Sequence, residues 1–441
     1  MKICIIGAGA GGRNASGRIR ELDKEAQIDI FSTQSEIGYA PCELPFAMRG
    51  TFTDWKGIFY PGNFFEEKGI KVHLETEVTD ILRDEKQIIA GGKRYAYDKL
   101  ILSQGARPSI PVIPGVNGEK EFAMSTDISR WKKLDAIVRG HTSAAVIGSG
   151  AIGIETTQAL KERGYRQVYL LENMDHILPS ALDRDMGKKI EKIMKDSGVE
   201  PIVSARIQSV ASKSGRKRII LEDRELDVDL LIFATGALPH TGLAEKVGLQ
   251  IGETGAIAVN QYLQTSDPEI YAVGDCMENW DTVTGAKTRR LMVTTASITG
   301  NIAAVNIVKG NLIPYKGTTM TFIMDVSGHE VGAFGFTEER AKKMGLDVAS
   351  VLHRAPKTRP AYGGKRVHCK LIADRKTQIL LGGQIISQHE IGGMINELAL
   401  AFAEKIPLPD ILRIDSPYSP LIGPDPARGA MGQLLNRLDK G

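Results

Sequence analysis

KICIIGAGAGG, residues 2 to 12, decides the fold. ICIIG at 3 to 7 is a continuous apolar run of the kind a parallel strand shows when both its faces are covered. GAGAGG at 7 to 12 breaks that run, and a helical pattern continues to Leu22. Gly7, Gly9 and Gly12 form GxGxxG, with Gly11 inside the same loop. The first glycine permits the tight turn, the second lets a pyrophosphate approach the backbone, and the third lets helix and strand pack closely. The helix N-terminus then offers N–H donors and a positive dipole end. IDIF at 28 to 31 reads as the next strand. The same unit returns as AAVIGSGAIGIE at 144 to 155, with Gly148, Gly150 and Gly153, a helix to about Gly164, and VYLLE at 168 to 172. Two correctly placed copies predict two bound dinucleotides. KLILS at 99 to 103 and DLLIFATG at 229 to 236 each close one unit, and IYAVGD follows at 270 to 275.

A chain of 441 residues is too long for one core and predicts two or three domains. Apolar content of 42%, 25% charged residues and 47 glycines match a globular α/β chain with many strand-to-helix turns. The formal net charge of +3 argues against a nucleic-acid partner, because no broad basic field exists to release counterions. The densest basic run, Lys213 with Arg216 to Arg218, is expected to be a solvated hairpin tip. Cys4, Cys42, Cys276 and Cys369 show neither metal-ligand nor disulfide spacing, so no metal and a reducing cytoplasm are expected. Met1 and Lys2 lead straight into a strand, so no signal peptide is expected, and no apolar run is long enough to predict a membrane span. From Thr318 the texture changes to antiparallel strands followed by the helix INELALAFAEK at 395 to 405, a separate α+β domain. The last two dozen residues predict a proline-rich arm that turns helical. The expected boundaries are 1–112 and 246–317 for the first nucleotide domain, 113–245 for the second and 318–441 for the third.

Cys42 lies in YAPCELP at 39 to 45, thirty residues past Gly12. Pro45 excludes CxxC and Ala47 excludes CxxxxC, so a single sulfur acting as thiolate in a flavoprotein is expected; the competing reading is a buried structural cysteine. A working thiolate calls for a positive or dipolar setting that brings its pKa below the usual value of about 8.5. Glu172 ends its strand twenty-four residues after Gly148, where a carboxylate accepts both ribose hydroxyls. No arginine stands at 173 to 175 to receive a 2′-phosphate, and Arg166 lies before the strand, so NADH is favoured over NADPH. Ser32 occupies the equivalent position of the first unit, where ribose recognition must differ.

TSDPEIYAVGD at 265 to 275 resembles the second flavin motif of the pyridine nucleotide-disulfide oxidoreductases, which implies that Asp275 binds the ribityl chain of FAD. LSQGARP at 102 to 108, with Gly105, and FATGALP at 233 to 239, with Gly236, resemble the segments that join the FAD and NAD halves of that family. Glu155 resembles its glutamate near the nicotinamide. The resemblance runs the length of the chain and implies an α/β fold: two Rossmann-like nucleotide-binding domains, for FAD and NAD, plus a C-terminal α+β dimerisation domain. YAPCELP is similar to the nucleophile loop of the single-cysteine branch, which comprises coenzyme A disulfide reductases, NADH oxidases, NADH peroxidases and persulfide reductases. Oxidases and peroxidases of that branch carry a histidine where this chain has Ala10, whereas GAGAGGRNASGRIRELDKE at 7 to 25 resembles the coenzyme A disulfide reductases.

That resemblance implies coenzyme A contacts by Asn14, Arg18 and Lys68. Solvated surface charge is the competing reading for Arg13, Arg18, Arg20 and Lys68. Glu21, Gly38 and Pro41 depart from the family pattern, which puts the seating of a pantetheine arm in question. Two catalytic tyrosines are implied from the partner subunit of a homodimer: Tyr418 in DSPYSP, and Tyr362 in RPAYGG, with Ala361 the alternative for the second. The implied enzyme consumes NADH, uses FAD, and reduces a small disulfide, persulfide or polysulfide carried on a thiol such as coenzyme A, through a mixed disulfide on Cys42. The alternatives are an NADH oxidase, against which Ala10 argues, and a non-catalytic redox-responsive flavoprotein.

Overall fold

The computed structural model describes residues 1–60, 62–419, 423 and 425–438. Five parallel strands form the first sheet, in the order Ile270–Ala272, Lys99–Leu102, Lys2–Ile6, Gln27–Phe31, Lys71–His73. A second parallel sheet repeats the plan in the order Glu200–Ile202, Gln167–Leu171, Ser143–Ile147, Leu230–Phe233, Glu121–Ala123. Apart from exposed Lys2 and polar Ser143, their central strands are buried and apolar, because helices cover one face and a three-stranded antiparallel flap covers the other. On the first sheet those helices include Ala10–Leu22 and Val293–Lys309, which meet so closely that a Cβ on Gly300 would lie 2.4 Å from the Gly11 carbonyl oxygen.

Each parallel sheet carries a three-stranded antiparallel flap. In the second, Lys213 and Arg216 face each other across a turn at Ser214 and Gly215. The expectation of a wholly solvated basic tip fails at Lys217, which is 1% exposed. Strand alternation turns this side chain inward, where its Nζ lies 2.9 Å from Glu121 Oε1 and donates to Asn117 Oδ1 at 2.8 Å. Its neighbours Arg216 and Arg218 point the other way and pair with Asp229, Asp227 and Glu225.

A two-stranded ribbon connects the units: Ala106–Pro108 pairs antiparallel with Ala237–Pro239. The ribbon is closed at both ends, where Ser109 N–H donates to the Gly236 oxygen at 2.9 Å and His240 N–H to the Gly105 oxygen at 3.0 Å.

The third sheet is antiparallel, in the order Phe322–Val326, His329–Gly335, Leu380–Ser387, Arg366–Asp374, Val348–Pro356. Helices Gly392–Ala403 and Pro426–Leu438 cover one face. The other face sends Met324, Val326, Val331 and Ile386 into the core of the second unit. No helix among the described residues is long and apolar enough to cross a membrane.

A buried charge cluster fixes the third sheet to the second unit. Lys370 Nζ lies 3.1 Å from Asp183 Oδ2, 3.1 Å from Asp185 Oδ1 and 3.2 Å from Glu338 Oε2. Asp183 also accepts from Gln384 Nε2 at 2.6 Å and from the N–H groups of Glu338 and Glu339, both at 3.2 Å. Burial would raise the Glu338 carboxyl, but hydrogen bonds from Lys342, Ser350 and Lys370 outweigh it and hold the pKa at about 2. Removing Lys370 leaves the buried Asp183 carboxylate without a cation and Glu338 with Lys342 alone, so Lys370→Ala should cost about 3–5 kcal/mol in chemical denaturation. Because the Glu338 pKa is depressed from 4.5, its contribution is complete above that pH and is lost as pH falls toward about 2. The melting temperature should drop through that window, and Glu338→Gln should flatten the drop.

Candidate active site

Both glycine loops are shaped by contacts that exclude a side chain. A Cβ on Gly12 would lie 2.0 Å from the Gly7 oxygen, and one on Gly153 would lie 1.9 Å from the Gly148 oxygen. Gly7 and Gly148 take φ of +109° and +101°, which only glycine adopts freely. A Cβ on Gly9 or Gly150 would meet nothing within 4 Å. Neither following helix has a side-chain cap, and the first intrahelical bonds are Arg13 N–H to Gly9 O and Ile154 N–H to Gly150 O. Each loop thus presents uncapped amides to open space at the carboxyl edge of its sheet, which suits a pyrophosphate. Beside the first loop, Asp275 opens a short 3₁₀ turn, Gly274–Cys276, and no hydrogen bond to its carboxylate is found among the described residues; burial pushes its pKa up to about 6. Gln104 Oε1 is buried there without a partner. These unsatisfied groups fit a polar ligand such as FAD. The Gln104 amide was missed in the sequence, although it stands directly before Gly105 in LSQGARP. Ser32 is buried, and its Oγ accepts from Gln34 N–H at 3.1 Å.

In the second loop, Glu172 is buried and its Oε2 accepts from Ser149 N–H at 3.0 Å and Ser149 Oγ at 2.6 Å. Oε1 accepts from Met174 N–H at 2.8 Å and keeps a second lone pair for a ribose hydroxyl. Glu172 therefore ties the glycine loop to the end of its own strand.

Cys42 sits in the 3₁₀ turn Pro41–Glu43, which runs directly into helix Leu44–Arg49. Leu44, Ala47 and Met48 bury into the core of the second unit beside Ile154, and Arg49 Nε donates to Glu162 at 2.9 Å. The turn is thereby held against helix Ala151–Glu162, which carries Glu155. Cys42 is exposed, whereas Cys4, Cys276 and Cys369 are buried. Burial pushes Cys4 up to about 12 and Cys276 up to about 11, which leaves them inert as nucleophiles.

The expected depression of the Cys42 pKa is not met in this chain. Protein packed beneath the sulfur raises it, the Glu43 charge raises it further and Glu155 adds to both, against a single hydrogen bond from the backbone. Glu43 stands next to Cys42 in the sequence, whereas the effect of Glu155 was hidden because it is far from Cys42 along the chain. Glu155 itself is raised to about 7, chiefly by burial, with Arg49 lowering it and Asp325 raising it.

The residues proposed to meet a thiol carrier are largely engaged with one another. Arg18 lies 3.1 Å and Lys68 3.7 Å from the Glu21 carboxylate. Asn14 Nδ2 donates to Ala10 O at 2.8 Å and Ser297 Oγ at 3.2 Å, bridging two helices. Tyr362 ends the turn Pro360–Tyr362 and is 52% exposed, and Tyr418 is 63% exposed. Gly423 packs on Lys357 and Thr358, shortly before the turn that carries Tyr362. Neither tyrosine is among the residues whose charge acts on Cys42 of the same chain.

Residues 1–300 match the pyridine nucleotide-disulphide oxidoreductase model and residues 323–422 match its dimerisation domain. The chain belongs to this family, whose members depend on FAD and NAD(P)H. It is 32% identical to a Methanocaldococcus jannaschii protein named NADH oxidase, over 95% of both chains. It is 31% identical to the NAD(P)H coenzyme A polysulfide/persulfide reductase of Pyrococcus horikoshii, over 96% of this chain and 95% of that one. The fold superposes on the NAD-dependent persulfide reductase of A. fulgidus with a TM-score of 0.94 at 30% identity, covering 100% of this chain and 84% of that one.

Two measurements probe this geometry. Glu155→Gln removes a charge that holds the Cys42 pKa up, so alkylation of the thiol at neutral pH should speed up a few-fold and its pH midpoint should fall. Glu172→Ala frees the Ser149 and Met174 donors, so the KM for NADH should rise about tenfold and the preference over NADPH should narrow.

Proposed function

We propose that the chain is an FAD-dependent, NADH-consuming reductase of a small disulfide, persulfide or polysulfide, with a coenzyme A thiol as carrier and Cys42 as the sole redox sulfur. The observation that carries this reading is one exposed thiol, set against the helix that follows the second dinucleotide loop, while the other three cysteines are buried. Gly7, Gly9, Gly11, Gly12, Ser32, Gly105 and Asp275 form the FAD cradle, and Gly148, Gly150, Gly153, Glu155, Glu172 and Gly236 the NADH side. Bound FAD supplies the two-electron relay between NADH and a sulfur–sulfur bond.

The chain's own part begins with the Cys42 thiolate, which attacks one sulfur of the substrate. A new S–S bond forms to Cys42 as the old one breaks, and the leaving thiolate takes a proton, for which Tyr418 across the homodimer is the donor in this reading. The mixed disulfide then accepts an electron pair, its S–S bond breaks, Cys42 returns to thiolate, and the substrate sulfur leaves as a second thiolate that takes a proton from solvent. No second cysteine competes for that step, so the resolving sulfur belongs to the substrate. The dimerisation-domain match and the exposure of Tyr362 and Tyr418 support a homodimer in which both reach the partner's site.

An oxidase is the second reading, favoured by the M. jannaschii relative's name and by the readiness of reduced flavin to meet oxygen. Cys42→Ser separates the two. It should retain FAD and lose disulfide- or persulfide-dependent NADH oxidation by at least about a thousandfold, measured anaerobically. Retained anaerobic turnover would rule out a sulfur mechanism.

A further inference from the structure

Arg13 follows the last loop glycine directly, and its guanidinium packs on Tyr60, which is hydrogen-bonded to the segment that leads to the Cys42 turn. Its Cζ lies 4.2 Å from the ring centroid of Tyr60 and 4.2 Å from that of Phe64, so the cation is clamped between two aromatic rings. Phe64 is seated against Gly17, where a Cβ would come within 2.7 Å of the ring. Tyr60 is tied to the nucleophile loop, because its N–H donates to the Gly38 oxygen at 2.8 Å and the adjacent Phe59 bridges Tyr39. Residues 38 and 39 lead within four positions to Cys42.

The clamped group is unspent. Arg13 Nε is buried without a hydrogen-bond partner, and no carboxylate pairs with Arg13 among the described residues. Other basic groups of this region are engaged: Arg18 and Lys68 by Glu21, Arg20 by the Lys68 and Lys24 carbonyls, Arg49 by Glu162. A guanidinium whose rotamer is fixed in advance and whose donors stay free is preorganised for an anion. Tyr60 links it to the reacting sulfur. Its phenol is raised first by burial, lowered by Arg13, and raised by Cys42 and Glu43, so Arg13, Cys42 and Glu43 all lie within electrostatic reach of Tyr60.

We propose that Arg13 is a substrate-binding residue that receives an anionic group carried within a few bonds of the sulfur attacked by Cys42. The proposal rests on the reading of Cys42 as nucleophile and narrows its substrates to anionic disulfides, persulfides or polysulfides. Charge selection then operates at the sulfur end of the substrate. Glu43, on the Cys42 turn, would repel such a substrate, and Arg13 offsets it. At the far end of the first helix, Arg18 and Lys68 already share the Glu21 carboxylate, so they offer an anion less.

The test is anaerobic NADH turnover by the FAD-loaded protein with dithiodipropionate, a dianion, and with neutral hydroxyethyl disulfide. Arg13→Gln should lower kcat/KM for the dianion at least about tenfold, mainly through KM, and change the neutral substrate less than about threefold. Arg13→Lys should recover part of the loss. Inorganic tetrasulfide forms a third arm: a matching loss assigns the contact to a terminal sulfur anion, and its absence assigns it to a carboxylate. For the unmodified protein, rising salt should weaken turnover of the dianion and spare the neutral disulfide. Equal losses on both disulfides, loss of FAD from Arg13→Gln, or an absent salt difference would each overturn the assignment. Failure of the underlying reading looks different, because Cys42→Ser would then keep turning over every substrate.

Discussion

Two places where a helix meets a strand with no room for a methyl group govern this molecule. The carbonyl oxygens of Gly7 and Gly148 occupy the space where Cβ atoms of Gly12 and Gly153 would stand. A side chain at either position would lift the helix from its sheet and open the apolar core on both sides. The same contact sets the neighbouring strand. Ser103 O lies 2.0 Å from the Cβ position of Gly7, and Ala234 O lies 2.4 Å from that of Gly148. The exits of strands Lys99–Leu102 and Leu230–Phe233 are therefore fixed by the loops, and the ribbon that leaves them at Gly105 and Gly236 inherits its starting points.

What that constraint leaves open is how the units face each other, and polar contacts supply the answer. The ribbon pairs only three residues from each side. Helix Leu44–Arg49 adds an apolar seam, and Lys370 with its three carboxylates fastens the third sheet to the second unit. Breaking such a cluster is costly, while a well-packed apolar patch of the same size would hold equally well, so its value lies in directionality. Lys370, Gln384 and Asp183 satisfy one another in only one register of sheet on helix. That register also places Asp325 and Ser327 beside helix Ala151–Glu162, where Asp325 acts on Glu155 and Ser327 lies 3.4 Å from Gln158.

The sequence made the local geometry legible and the long-range chemistry much less so. Glycine spacing is read directly because its reason is steric and confined to a dozen residues; the two parallel sheets, the antiparallel third sheet and Cys42 as the exposed sulfur follow from such short-range patterns. The Lys217 ion pair was not legible, because a charged residue in a basic run looks solvated until its strand partner and Glu121 are known. The same holds for Lys68. Glu21 pairs with Arg18 three residues before it on one helix, which the spacing shows, but its contact with Lys68 becomes evident only when the segment carrying Lys68 folds onto that helix. The environment of Cys42 is a mixed case, since the motif names the nucleophile and its neighbour Glu43, while the burial and the second charge, Glu155, come only with the fold.

Those charges give the site a proton economy of its own. A thiol held up by burial and then by Glu43 and Glu155 is ionised less often at neutral pH, yet each thiolate is a stronger nucleophile, because nucleophilicity rises with basicity. Electrostatic coupling is reciprocal: if the Glu155 charge disfavours the Cys42 thiolate, the thiolate disfavours ionised Glu155. A disulfide on Cys42 carries no charge, whereas reduction leaves an anion there. With its pKa already raised to about 7 by burial, Glu155 stands where that new charge tips it toward the neutral acid. In the mechanism proposed above, reduction of the sulfur would favour the neutral form of Glu155, and the buried carboxyl would limit the negative charge gathered beside Cys42.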